Sequence, residues 1–183
     1  MNNRTKSSDI DESKILYITF TGIMAGLIAI MTAYLFHIPV GANGGYIHFG
    51  DALIYISAVL LPRPYALAAA AIGGGVADLL TAPMWAPATI IIKMLITLPF
   101  TCKSKKIVTK RNIFATVIAY LISGVCYFAA NYIIFGTLGV FFVSMANSLI
   151  QSGGSAVIFI LLGHAFDKAQ IKRRFFTQSS PTL

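Results

Sequence analysis

Asp51, Asp78 and Lys93 stand out chemically because each interrupts a long apolar run of the chain. The last two lie in IGGGVADLLTAPMWAPATIIIKML, residues 72–95, where they are the only charges. An ionised group costs about 2.5–3.5 kcal/mol at the centre of a bilayer helix, so such groups face a cavity, a ligand or each other. Asp78 and Lys93 therefore read as a structural ion pair or as part of a polar site. Neutral hydrogen-bonding groups accompany them: His48, Tyr127, Asn131, Asn147 and Gln151. The chemistry this set suits is recognition rather than bond breaking. There is no GxxxxGK[ST] phosphate loop, no HExxH and no GxSxG. Ser155 and His164 lie on one predicted helix, roughly 13 Å apart along its axis, too far for a dyad. His37 and His48 read as interfacial residues, with no HxxxH or Cys partner to hold a metal. Cys102 and Cys126 fit no disulfide framework and read as small hydrophobes. No enzyme activity, resident cofactor or metal is expected.

The elements that must position these residues are membrane helices. Of 183 residues, 57% are hydrophobic and 11% charged, against about 25% charged in soluble domains. Mean hydropathy is +0.78. The net charge of +8 does not indicate a nucleic-acid partner, because the basic residues cluster in short segments between apolar runs. Residues 1–14 are polar and mixed in charge, unlike a signal peptide, and read as a short disordered tail.

A helical span needs about 20 apolar residues. That measure predicts six, at residues 15–36, 47–61, 65–80, 86–101, 113–135 and 138–166. The fold expected is an all-α integral membrane protein: a tail over 1–14, one six-helix domain over 15–167 and a basic tail over 168–183. Thirteen of the fourteen Lys and Arg residues fall before the first span, between the second and third, between the fourth and fifth, or after the sixth. The positive-inside rule makes that side the cytoplasm and places both termini there. Lys93 is the exception.

With directions fixed, the polar groups acquire depths. Asp51 and His48 fall near the outer end of the second span, Asp78 in the outer third of the third, and Lys93 about two turns down the fourth. Asn131 and Tyr127 fall near the outer end of the fifth. In the sixth, Ser144, Asn147, Gln151 and Ser155 recur on one helical face. Their shared depth indicates a cavity open to the outside. Singly, each has a plainer reading: Asp51 as a helix cap, the amides as interhelical hydrogen bonds. The Gly-rich loop around Asn43 reads as a lid. Trp85, between two prolines, reads as an interfacial anchor or as a stacking surface for a planar ligand. Ala25, Ala29 and Ala33 recur four apart on the first span, bordered by Gly22 and Gly26, and suit close helix approach either within the bundle or by a partner.

Three stretches carry a family resemblance: YIHFGDALIYISAVLL from Tyr46, GGGVADLL from Gly73 and APATIIIK from Ala86. With the alanine face, they resemble the substrate-binding S components of energy-coupling factor (ECF) vitamin transporters, of the riboflavin-transporter-like branch, over about residues 15–167. The resemblance implies a multi-pass protein of the bacterial cytoplasmic membrane. It implies high-affinity binding of a vitamin or precursor near the outer face, and delivery inward with a transmembrane T component and two ATPases that use the ATP. By the same resemblance, Ala25, Ala29 and Ala33 dock on the T component. Asn43, His48, Trp85, Lys93, Tyr127, Asn131, Asn147 and Gln151 line the substrate site, and Asp51 and Asp78 support it. One ammonium, several amides and an aromatic suit a hydroxymethylpyrimidine or a vitamin B6 form, with pantothenate and riboflavin as further options. The competing readings are a stand-alone proton-coupled permease with Asp78 and Lys93 as its relay, and a non-transporting scaffold.

Overall fold

In a computed structural model, residues 3–35, 38–40, 45–136, 139 and 141–176 are described. The apolar runs are helical, as α1 (Asn3–Ala33), α2 (Asp51–Leu60), α3 (Arg63–Thr81), α4 (Ala86–Thr97), α5 (Lys110–Phe135) and α6 (Phe141–Lys168), followed by a short α7 (Ile171–Phe176). Local chemistry marks the ends. Pro64 sits in the first turn of α3, where a missing N–H is harmless. Thr109 caps α5 by accepting from Asn112 N, and Gly136 closes the same helix at φ 68°, a left-handed value that suits glycine. α1 (from Ser13), α3, α5 and α6 are long and apolar enough to cross a membrane. α2 and the Pro83–Thr97 segment are shorter apolar helices.

Four features depart from expectation. Residues 3–14 continue α1 rather than forming a disordered tail; extending an existing helix is far cheaper than nucleating one. The basic C-terminal tail contains α7. The loop after α1 holds a small antiparallel ribbon, β1 (Ile38–Val40) with β2 (Gly45–Ile47), registering Ile38 with Ile47, a local addition to a fold that is all-α in class. The second apolar run becomes helical only at Asp51. Ten residues reach about 15 Å, half a bilayer core.

α2 is the central element. Nine of its ten residues are buried, and α1, α3, α4 and α6 surround it. α3 lies between α1 and α4, and its glycine triplet allows this. A Cβ on Gly73 would stand 2.7 Å from Ile28 Cβ and 2.8 Å from Ala25 O of α1. A Cβ on Gly74 would stand 2.7 Å from Lys93 Cγ of α4. Large apolar side chains such as Ile18, Leu79, Phe114, Ile133, Phe142 and Leu161 point outward, 59–81% exposed, as a lipid-facing surface does.

The alanine face of α1 is mostly occupied within the molecule. Ala25 and Ala33 are buried and Ala29 is half-buried, because α3 presses on that side through Gly73. Gly22 and Gly26 are exposed, with open space where a Cβ would go. The surface free for a partner is therefore the glycine edge of the stripe.

At the basic end, three side chains fasten the 98–109 connection. Asp167 accepts from Ile107 N (2.7 Å) and Val108 N (3.0 Å). Asn112, fully buried, donates to Ile107 O and Thr101 O and accepts from Thr101 N. Lys172 Nζ donates to Val59 O (2.7 Å) and Cys102 O (2.6 Å), joining α7 to the end of α2.

The glycine packing gives a paired prediction. Gly73→Leu should destabilise the purified protein by about 1–3 kcal/mol or more through overpacking, lowering its melting temperature. Gly26→Leu, on the open side of α1, should leave the melting temperature unchanged.

Candidate binding site

Asp51 reaches the interior because the chain from His48 to Gly50 runs inside the protein. His48 is 3% exposed and Asp51 0%. Non-helical backbone at this depth is tolerated only where protein surrounds it, and here His48 Nδ1 accepts from Gly50 N at 3.0 Å. The carboxylate does not cap its helix; the cap position is Gly50, with no side-chain bond. It lies instead in the first turn of α2, where the helix dipole favours an anion.

The partner of Asp51 is Lys93, with Nζ to Oδ1 at 2.6 Å and both side chains fully buried. The second oxygen, Oδ2, accepts from Gln151 Nε2 of α6 at 2.9 Å. One carboxylate thus ties α2, α4 and α6 together. The ion pair raised by the sequence as a possibility joined Lys93 to Asp78. The pair in the structure uses Asp51, because α2 begins inside the bundle and brings its first residue to Lys93. Asp78 is buried one turn beyond Gly74, the glycine that packs on the Lys93 stem.

Lys93 carries three N–H donors and commits one to Asp51. Its Nζ also stands 5.5 Å from the centroid of the Tyr127 ring, a cation–π distance. Tyr127 Oη and Thr89 Oγ1 are 3.2 Å apart, so Tyr127 is held against α4. Beyond it Trp85 is 7% exposed, its ring 6.1 Å from that of Tyr127 and 6.0 Å from that of Phe135. Trp85 is therefore part of an inner aromatic cluster, not an interfacial anchor. A second aromatic group closes the opposite side, with Tyr55, Phe100 and Phe159 at 4.8–6.0 Å. Along α4, Lys93 lies roughly two turns from both Trp85 and Phe100. The ion pair thus separates two aromatic layers.

The structure therefore gathers His48, Asp51, Trp85, Lys93, Tyr127 and Gln151 into one buried region. Asn131 and Asn147 are half-buried, one turn from Tyr127 and Gln151 respectively. Asn43 and His37 lie outside the described residues. Thr89, bonded to Tyr127, belongs to the region and was not singled out from the sequence; nor were Ser148 and Ser152, which flank Gln151 on α6. Ser148 and Ser152 continue the four-residue spacing begun at Ser144, and all three are buried. That spacing was the available signal.

The family model for the ECF-type riboflavin transporter, S component, matches residues 12–168. The chain belongs to this family. A curated relative from Pyrococcus woesei, described as an uncharacterized protein in gap 3'region, is 28% identical over 139 residues, covering 75% of this chain and 93% of its own length. As an S component the chain is a substrate-binding subunit of a transport system, a multi-pass membrane protein and not an enzyme. The buried groups of this S component are thus read as recognition chemistry.

Breaking a buried pair on one side leaves an uncompensated charge, at about 3–5 kcal/mol. Lys93→Met should therefore lower the melting temperature sharply. Adding Asp51→Asn, which keeps an acceptor for Gln151, should restore most of the loss. A double variant as unstable as the single one would refute the pairing.

Proposed function

We propose that this S component captures a vitamin or vitamin precursor on the outer side of a prokaryotic cytoplasmic membrane and delivers it inward with a T component and two ATPases. The chain crosses six times with both termini cytoplasmic, and the α2 pass is completed by the segment that precedes it. The one-sided distribution of Lys and Arg supports this orientation.

The substrate class is a flat heteroaromatic carrying hydrogen-bond acceptors. The observation that carries this reading is Lys93, fully buried, with one N–H on Asp51, its other two meeting no acceptor among the described residues, beside the Tyr127 and Trp85 rings. Lys93 contacts the ligand; Asp51 and Gln151 fix its ammonium, and Asp78 shapes the wall behind it. A hydroxymethylpyrimidine, a vitamin B6 form and riboflavin all present this chemistry. Because Lys93 is enclosed, the ligand reaches it only when the aromatic cluster or the buried chain of residues 48–50 parts.

Mass spectrometry of small molecules released from the purified protein should find one such compound, and the Lys93→Met/Asp51→Asn protein should bind it at least about tenfold more weakly, the loss of one charge-assisted hydrogen bond. Recovery of no ligand would favour a scaffold. Uptake in cells lacking the T component and ATPases should be absent; robust uptake there would establish the permease instead.

Docking of the T component falls on the open edge of α1, where Gly22 and Gly26 flank exposed Ile23, Leu27 and Ile30. Gly26→Trp should abolish co-purification of the T component while leaving ligand affinity unchanged.

A further inference from the structure

A groove of about 420 Å³ opens at the basic end, between the α2–α3 turn and the end of α4. Its floor is formed by Ala58, Ala66, Thr97 and Phe100, and its rim carries Arg63 and Lys103. The floor residues are 2–6% exposed, whereas both cations are exposed. Among the described residues, no carboxylate lines it. Asp167, at the same end, is held by the amides of Ile107 and Val108.

The groove is a built feature rather than a gap between loose loops. Lys172 fastens its two walls to each other through Val59 O and Cys102 O. Asn112 holds Thr101 through both its N–H and its C=O. Thr101 Oγ1 in turn accepts from Lys103 N at 3.3 Å, which orients the backbone of the rim cation. The two cations therefore come from different elements and stand over one apolar floor.

We infer that this groove binds the headgroup of an anionic phospholipid, with the phosphodiester between Arg63 and Lys103 and the first part of an acyl chain on the Ala58–Phe100 floor. Charge complementarity selects the occupant: two rim cations, with no acid among the described lining residues, match one phosphodiester, and basic pockets between membrane helices take anionic headgroups for this reason. The position agrees, because the groove lies at the basic ends of α2 and α4, on the side that the distribution of Lys and Arg assigns to the anionic cytoplasmic leaflet.

Purified protein in uncharged detergent should be titrated with phosphatidylglycerol and, separately, with phosphatidylcholine of the same chains. Native mass spectrometry and the melting temperature are the readouts. Phosphatidylglycerol should remain bound and raise the melting temperature, while phosphatidylcholine does neither. Arg63→Gln/Lys103→Gln should weaken the anionic lipid by about thirtyfold, two interfacial cations' worth, with the lipid-free melting temperature unchanged. Lys105→Gln/Lys106→Gln removes the same charge from the same end but outside the groove, and should leave binding intact. Equal loss in both double variants would mean attraction by the general basic field and would overturn the site. Stabilisation by inorganic phosphate alone, equal to that by phosphatidylglycerol, would overturn the lipid assignment in favour of a free anion.

Discussion

A buried ammonium and a buried carboxylate can coexist in this chain only in contact. The Lys93–Asp51 pair therefore acts as a geometric demand on everything around it. To satisfy it, α2 must begin inside the bundle, the preceding chain must run through protein, and α3 must thin to glycine where the Lys93 stem passes. Gln151 completes the carboxylate's hydrogen bonds from α6. Buried ion pairs contribute little net stability, since desolvation offsets most of the attraction. What this one contributes is register: three helices have a single relative placement in which both oxygens of Asp51 are satisfied.

Much of this was legible in the sequence, and the gaps have physical causes. The helices were readable because apolar runs of bilayer length have few alternatives. The family was readable from the GD, AD and K positions in their apolar contexts. Lys93 was legible as anomalous, but its partner was not. Asp78 is near in sequence and depth, whereas Asp51 is brought in by a helix that starts late. No periodicity distinguishes residues 47–50 from the first turn of α2, so the run looked like one short span. The amides of α6 were readable as a stripe. That Gln151 serves Asp51 is a fact of tertiary distance, which spacing along one helix cannot supply.

The first helix gives the same lesson from the opposite direction. Alanine and glycine both permit close approach, and the sequence treats them as one small face. The fold divides it, giving Ala25 to α3 through Gly73 and leaving Gly22 and Gly26 uncovered. Two neighbouring helices can use adjacent edges of one stripe because membrane helices associate through close packing rather than hydrophobic drive.

α2 has one further consequence. Its first residue holds the buried ammonium, and its penultimate residue, Val59, is held by Lys172 of α7. The two attachments are roughly 12 Å apart along a single unbroken helix, with neither glycine nor proline between them. Such a rod cannot absorb motion by bending. The C-terminal helix and the buried carboxylate thus hold opposite ends of one stiff element, which ties the basic end of the molecule to its centre.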